Sequence, residues 1–245
     1  MLVQLGELAE LGRRAAAMAR EGRERSDLTL QVESDLYLAL IALAEDDPAA
    51  AEACVARNLA AWVTRDYLFQ NWIALRFRTL TRLFTGDWEA ALAGIDDGLP
   101  RARAANLTAM QVVRIEAADM HGRAALAGAF RTHGARRAAL LRVVADDARA
   151  LEREGCRHGV APAAMLRAGL RELEGNLAGA RAALEIAREA YAAASMRTHA
   201  LAAAWHLARL AGRDEDRHTA EAGLEARGVR NPRRWAAMHL GAPAC

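Results

Sequence analysis

Lysine is absent from the chain, so all 33 of its basic side chains other than histidine are arginines. That absence removes the residue on which a P-loop phosphate site, a protein-kinase nucleotide clamp and a Schiff-base enzyme each depend. Serine is nearly absent too. Ser26, Ser34 and Ser195 are the whole set, and none lies in a G-x-S-x-G nucleophile elbow. The three cysteines, Cys54, Cys156 and Cys245, are far apart, odd in number and without metal-type spacing. They suit a reducing compartment better than a disulfide framework. Cys156 and His158 form a C-x-H with no second ligand pair, and His199 and His206 stand seven apart, so neither pair has zinc spacing. No metal or cofactor is expected. No apolar run approaches the ~18 residues of a membrane span. Glu7 and Glu10 interrupt the N-terminal stretch where a signal peptide would place its apolar core. The expectation is a cytoplasmic protein with no membrane insertion.

Aromatics make up 5% of the chain while hydrophobic residues reach 53%, and much of that excess is alanine. Alanine has the highest helix propensity, and its small side chain lets helices approach closely. Period-two runs of β-branched and aromatic residues, the signal of strands, are lacking. The chain therefore reads as all-α, with 245 residues to bury a sizeable core in a single domain over 1–245. The net charge of +2 is spread out: Arg13, Arg14, Arg20, Arg23 and Arg25 share a helix with Glu7, Glu10, Glu21 and Glu24. That is a solvated, salt-bridged face, not the clustered cations of a nucleic-acid footprint, so no nucleic-acid partner is expected.

A repeat runs through the breakers. Leu5-Gly6-Glu7-Leu8, Glu45-Asp46-Asp47-Pro48, Thr85-Gly86-Asp87-Trp88 and Glu174-Gly175-Asn176-Leu177 each read as a turn. Each is followed, five positions after the Gly or Asp, by Leu11, Ala51, Ala91 or Ala180. The spacings are 40, 40 and 89, the last being two units. Recurrence at this length marks stacked helical hairpins. The polar turn residue opens a helix, the bulky Trp88 or Leu177 packs back on the preceding one, and the small residue lets the pair close up. The fold class that follows is a TPR-like α-solenoid of about five to six antiparallel helix pairs. Asp47-Pro48 and Asn231-Pro232 read as N-caps followed by proline in the first turn, and Asp87, Thr108, Asn176, Ser195 and Asp214 as further caps. Pro162 is expected in a first turn, and Pro100 is expected to end or kink its helix near Gly98. Because Gly6 reads as the turn into a second helix, the first helix of that pair is expected upstream of Met1. An uncapped edge there would favour self-association.

Candidate sites are few. The paired acids Asp46-Asp47, Asp96-Asp97 and Asp146-Asp147 point about 100° apart on a helix and do not converge on one atom. Trp62, Trp72, Trp88, Trp205 and Trp235 fall on apolar stripes and read as core. The polar stripe Asn71, Arg78 and Arg82 runs along an otherwise apolar fourth helix, and Gln111, Arg114 and His121 share a face of the sixth. If both helices line the concave side, these six residues form a groove fit for an acidic or polar peptide. The same residues also fit the solvated edges of buried helices.

The C-terminal third, RAGLRELEGNLAGARAALEIAREAYAAASMRTHALAAAWHLARLAGRDED followed by GLEARGVRNPRRWAAMHLGAP, resembles the C-terminal region of large bacterial eukaryotic-type serine/threonine kinases. The most specific piece is Gly228-Val229-Arg230-Asn231-Pro232 with Arg234 and Met238, and Gly86-Asp87-Trp88 and Arg114-Ile115-Glu116-Ala117 sit where similar segments are expected. In that family a kinase domain and an ATPase-type module precede a long TPR-like region. The chain has no H-R-D, no D-F-G and no glycine-rich loop, so no catalytic residue carries over. What the resemblance implies is a non-catalytic interaction or regulatory module, with a protein or peptide partner such as a kinase or ATPase module. The arm of a transcription activator and an enzyme with an unrecognised pocket stand as alternatives.

Overall fold

The computed structural model describes residues 5–61 and 66–242. Trp62, Cys245, the residues before Leu5 and the segment expected upstream of Met1 lie outside them. The described residues form twelve α-helices and no strand. They are α1 (Leu8–Glu24), α2 (Leu28–Ala44), α3 (Pro48–Ala61), α4 (Phe69–Thr85), α5 (Trp88–Ala104) and α6 (Gln111–Arg131). There follow α7 (Gly134–Arg153), α8 (Arg157–Leu173), α9 (Leu177–Ala193), α10 (Arg197–Ala211), α11 (Asp214–Glu225) and α12 (Pro232–Leu240). Each helix packs on the next in sequence, as an all-α solenoid requires.

The turns share one construction. A residue in the left-handed region ends each of several helices: Ser26, Asp46, Gly86, Gly175, Ser195 and Gly212. The next N–H then reaches back five residues, as in Asp47 N–H to Ala42 O (2.8 Å), Asp87 to Arg82 (2.9 Å) and Asn176 to Arg171 (2.9 Å). This closure satisfies carbonyls that the helix end leaves free. The same Asp47, Asp87 and Asn176 then cap the following helix through the N–H groups of Ala50, Ala90 and Gly179. Asn231 caps α12 through Arg234 N–H at 3.2 Å. Ser195 instead adopts the left-handed turn position, Thr108 lies in a short 3-10 turn (Leu107–Ala109), and Asp214 is already the first helical residue after Arg213.

Two proline expectations are corrected. Helix α5 continues through Pro100 to Ala104. The ring is exposed and only a turn from the helix end, so water can take the carbonyl of Asp96 that proline leaves without its donor. Helix α8 begins at Arg157, which puts Pro162 in its second turn. The small repeat positions are buried as expected: Ala51, Ala91 and Ala180 are at 0% exposure. Leu177, however, is exposed and does not pack back. Trp88 is buried, but it fills the notch at Gly128 on α6, where an added Cβ would lie 2.5 Å from its ring.

The even-numbered helices make the inner layer. Helix α2 contacts α4, α4 contacts α6, and α6 contacts α8. The α6–α8 seam is tightened by two glycines facing leucines. Leu166 reaches into Gly122, and Leu126 into Gly169, each within 2.5 Å of where a Cβ would stand. The concave side is then filled by the chain itself. Helix α12 packs on α4, α6, α8, α10 and α11 and buries Trp235, Ala236, Met238, His239 and Leu240. The connection into α12 is tied to the α2–α3 turn: Arg230 N–H donates to Ala44 O (2.7 Å), and Asn231 and Arg234 both donate to Asp46. The start of the chain closes on the same region. Gly6 packs on Thr198, while Glu7 pairs with Arg197 (3.0 Å) and Arg227 (3.8 Å). The array is thus bent far enough for its two ends to touch.

Candidate functional site

The six residues of the expected groove fall into two separate places. Asn71 accepts the Leu68 N–H at 2.8 Å and helps start α4. Arg78 faces Glu52 of α3 at 3.6 Å, and Arg82 donates to the Ala90 carbonyl of α5 at 2.6 Å. This stripe therefore seals α4 against its hairpin neighbours and does not face the concave side. Arg114 and His121 line a different cleft, between α5, α6 and α7, and Gln111 is tied to the Glu154 carbonyl beside it. The reason is angular: the inner face of α4 is taken by Arg76 and Leu80, and that of α6 by Ile115, Asp119 and Met120.

The α5–α6–α7 cleft has a volume of about 420 Å³. Arg114 lines it, donating to both Glu154 oxygens (2.7 and 2.8 Å) and to the carbonyls of Thr108 and Ala109. The hydrogen bonds from Arg114 hold the Glu154 carboxyl below its usual pKa, and Gln111 donates to the Glu154 carbonyl. Deeper in, His121 Nδ1 meets Asp147 at 2.8 Å and Nε2 meets Asp96 at 3.2 Å. One acid from each of two adjacent pairs thus converges on a single imidazole. Burial alone would push the His121 pKa down, but the bond to Asp147 and the charge of Asp96 outweigh it and leave it raised. Burial in turn raises Asp147. Arg103 and Arg153 stand at the rim with no ion pair to a described residue, so the cleft mouth carries unspent positive charge.

A second site lies in the middle of the ring, where α12 does not quite fill the concave side. A cavity of about 100 Å³ remains. Its lining combines apolar side chains, among them Leu40, Leu80, Ile115 and Met196, with the polar Arg76, Glu116, Asp119, Arg123, His199 and His239. Arg123 is only 6% exposed; its Nη2 donates to Asp119 at 2.5 Å, while Nε and Nη1 have no partner. Trp235 Nε1 and His239 Nε2 are likewise buried and without partners. Each such group forgoes about 1–3 kcal/mol of hydrogen bonding. Arg76 is spent on Glu116 (2.9 Å), which also accepts from Trp72 Nε1 (2.9 Å). The rings of His199 and His239 sit 4.5 Å apart. His199 is partly open to the cavity yet enclosed by protein, and that desolvation pushes its pKa down to about 3; the same cause holds His239 well below its usual value.

No family model, curated protein or solved structure matches the chain.

Sequence reasoning missed the whole central cluster. One signal was present. Arg123 is the single charge in the segment Gly122–Ala129, and a lone arginine in such a run must find a partner or a ligand when the run is buried. His239, Tyr191 and Trp235 come from three distant segments that only the closure of the ring brings together. Cys156 flanks the start of α8 as a free thiol, and no group of three metal-ligating side chains occurs among the described residues. No described helix is long and apolar enough to cross a membrane.

Proposed function

We propose that the protein is a non-catalytic interaction module that docks an acidic segment of a partner protein in the α5–α6–α7 cleft. The observation that carries this reading is the pair Arg103 and Arg153, unpaired cations flanking a cleft whose other charges are already matched. Unspent rim charge steers an oppositely charged partner and fixes its register. The apolar floor, Leu99, Ala117, Ala118 and Ala150, leaves room for a small apolar anchor between the acids. The concave face, the usual docking surface of a helical array, is taken up by α12, which turns attention to this outer seam. In keeping with the resemblance, the partner belongs to serine/threonine-kinase signalling, as a kinase or ATPase module. The self-association expected from an uncapped edge is a separate property that sedimentation would detect.

The alternative reading as the arm of a transcription activator draws no support from α12. Its Arg234 is bound to Asp46 and its Arg233 to Glu221, and its other face is core, so it presents no free basic face to a groove.

The test is capture of an acidic partner by the full chain, with Arg103→Ala and Arg153→Ala compared against Arg25→Ala at an exposed site elsewhere. Loss of capture in the double cleft variant, steepened by added salt, is the expected outcome. Capture that survives the double variant unchanged would sink the reading.

A further inference from the structure

We propose that the central cavity binds a small organic carboxylate whose oxygens accept the N–H groups of Arg123 and Trp235 and whose short apolar body lies against the apolar residues of the lining. The polar groups left unmatched around the cavity set the class of ligand. Arg123 Nε and Nη1 and Trp235 Nε1 are all donors, on side chains 6% and 2% exposed. The neighbouring carboxylates are engaged already, Glu116 by Trp72 and Arg76 and Asp119 by Arg123 Nη2. What the site lacks is therefore an acceptor, and a guanidinium with two free N–H groups calls for an anionic one. His239 Nε2 adds a third polar contact that can serve as donor or acceptor with its tautomer.

Size and shape narrow the class further. The space of about 100 Å³ suits an ion of a few heavy atoms and is too small for a peptide. Leu40, Leu80, Ile115 and Met196 add apolar surface to the lining, which a fully polar oxyanion such as phosphate would leave unmatched. A short-chain monocarboxylate matches both the donors and the apolar surface. Because Trp235 and His239 belong to α12, the ligand would bridge this helix to α6, which carries Arg123. The site is remote in kind from the outer cleft, so ligand binding and partner docking can each fail without the other.

The experiment titrates the full chain, labelled with nitrogen-15 at tryptophan, with butyrate, its neutral analogue butyramide, and phosphate at constant ionic strength. The Trp235 indole N–H signal is assigned by its disappearance in Trp235→Phe. It should shift saturably with butyrate alone, while the Trp205 indole, held by Glu221, stays in place. In calorimetry, Trp235→Phe should weaken butyrate binding about tenfold or more, the effect of one lost bond to a charged group. Arg123→Gln should abolish binding; if that variant does not fold, the Trp235→Phe comparison decides. An indole signal unmoved by butyrate overturns the proposal. So does an equal response to butyramide or phosphate, or an affinity unchanged in Trp235→Phe.

Discussion

Buried histidines set how this protein answers acid. His206 lies at 0% exposure beneath α12, its Nε2 donating to the Ala236 carbonyl at 2.8 Å. Burial pushes its pKa to about 3, and His199 and His239 are depressed by the same cause. With folded values below the unfolded value of about 6.5, the unfolded chain takes up protons first as the pH falls. Stability is therefore complete above that value and is lost as the pH drops toward 3, by up to about 1.4 kcal/mol per pH unit for each histidine. His121, raised by its acids, works the other way, and its contribution fades as the pH rises through its folded value. Urea titrations at several pH values check this: His206→Gln, whose amide can keep the bond to Ala236, should flatten the acid slope by about one histidine's share. An unchanged slope would show that other groups control it. At the same scale, Asp46→Asn keeps a residue that tolerates the left-handed turn but removes the charge that meets Arg234. A loss of about 1 kcal/mol in thermal or urea denaturation is expected, since both side chains are partly exposed.

Among the described helices, α12 is the shortest, yet it packs on as many others as the much longer α4 does. Nine residues make a marginal helix in isolation, so its stability comes from packing. Trp235→Ala should cost about 3–5 kcal/mol, as large-to-small changes in a core do, and should lower the thermal midpoint accordingly. The end of the same helix is equally constrained. Gly241 sits at φ +76°, and a Cβ there would stand 2.9 Å from Ala127 N and Arg123 O, which are backbone and cannot move aside. Gly241→Ala is thus expected to destabilise by more than the ~1 kcal/mol of the left-handed backbone alone, with calorimetry as the check. Other turns were legible in advance because Gly86 and Gly175 stand before capping residues. Ser26 and Ser195 were not, since a serine in a left-handed turn looks the same in sequence as a serine cap. Leu177 misled for a related reason: its place in the repeat matches Trp88, but its neighbours leave it in water.

At the scale of the whole molecule, the contact between its ends matters most. An open solenoid frays from its termini because each unit touches only its neighbours. Here Glu7 is tied to Arg197 and Arg227, and the α2–α3 turn holds the entry to α12. Native-state hydrogen exchange should therefore protect α1 about as well as the middle helices, and α12 most of all. Preferential opening of α1 would count against a closed ring. The sequence carried the helices, their order and the stacking rule through its 40-residue spacing, because those depend on neighbours in the chain. It did not carry the closure. Whether α4 turns Arg78 or Arg76 inward, and whether Arg123 meets α12, depends on the sum of many small rotations between helix pairs. No local motif records that sum.

The order of synthesis adds a constraint of its own. The helix at the centre is made after the five that pack around it, so on the ribosome those five emerge with the middle of the ring empty. Domains begin to fold from the N-terminal side during translation. The inner faces of α4, α6 and α8 must then stay soluble, or be shielded by a chaperone, until Trp235 and Met238 leave the exit tunnel.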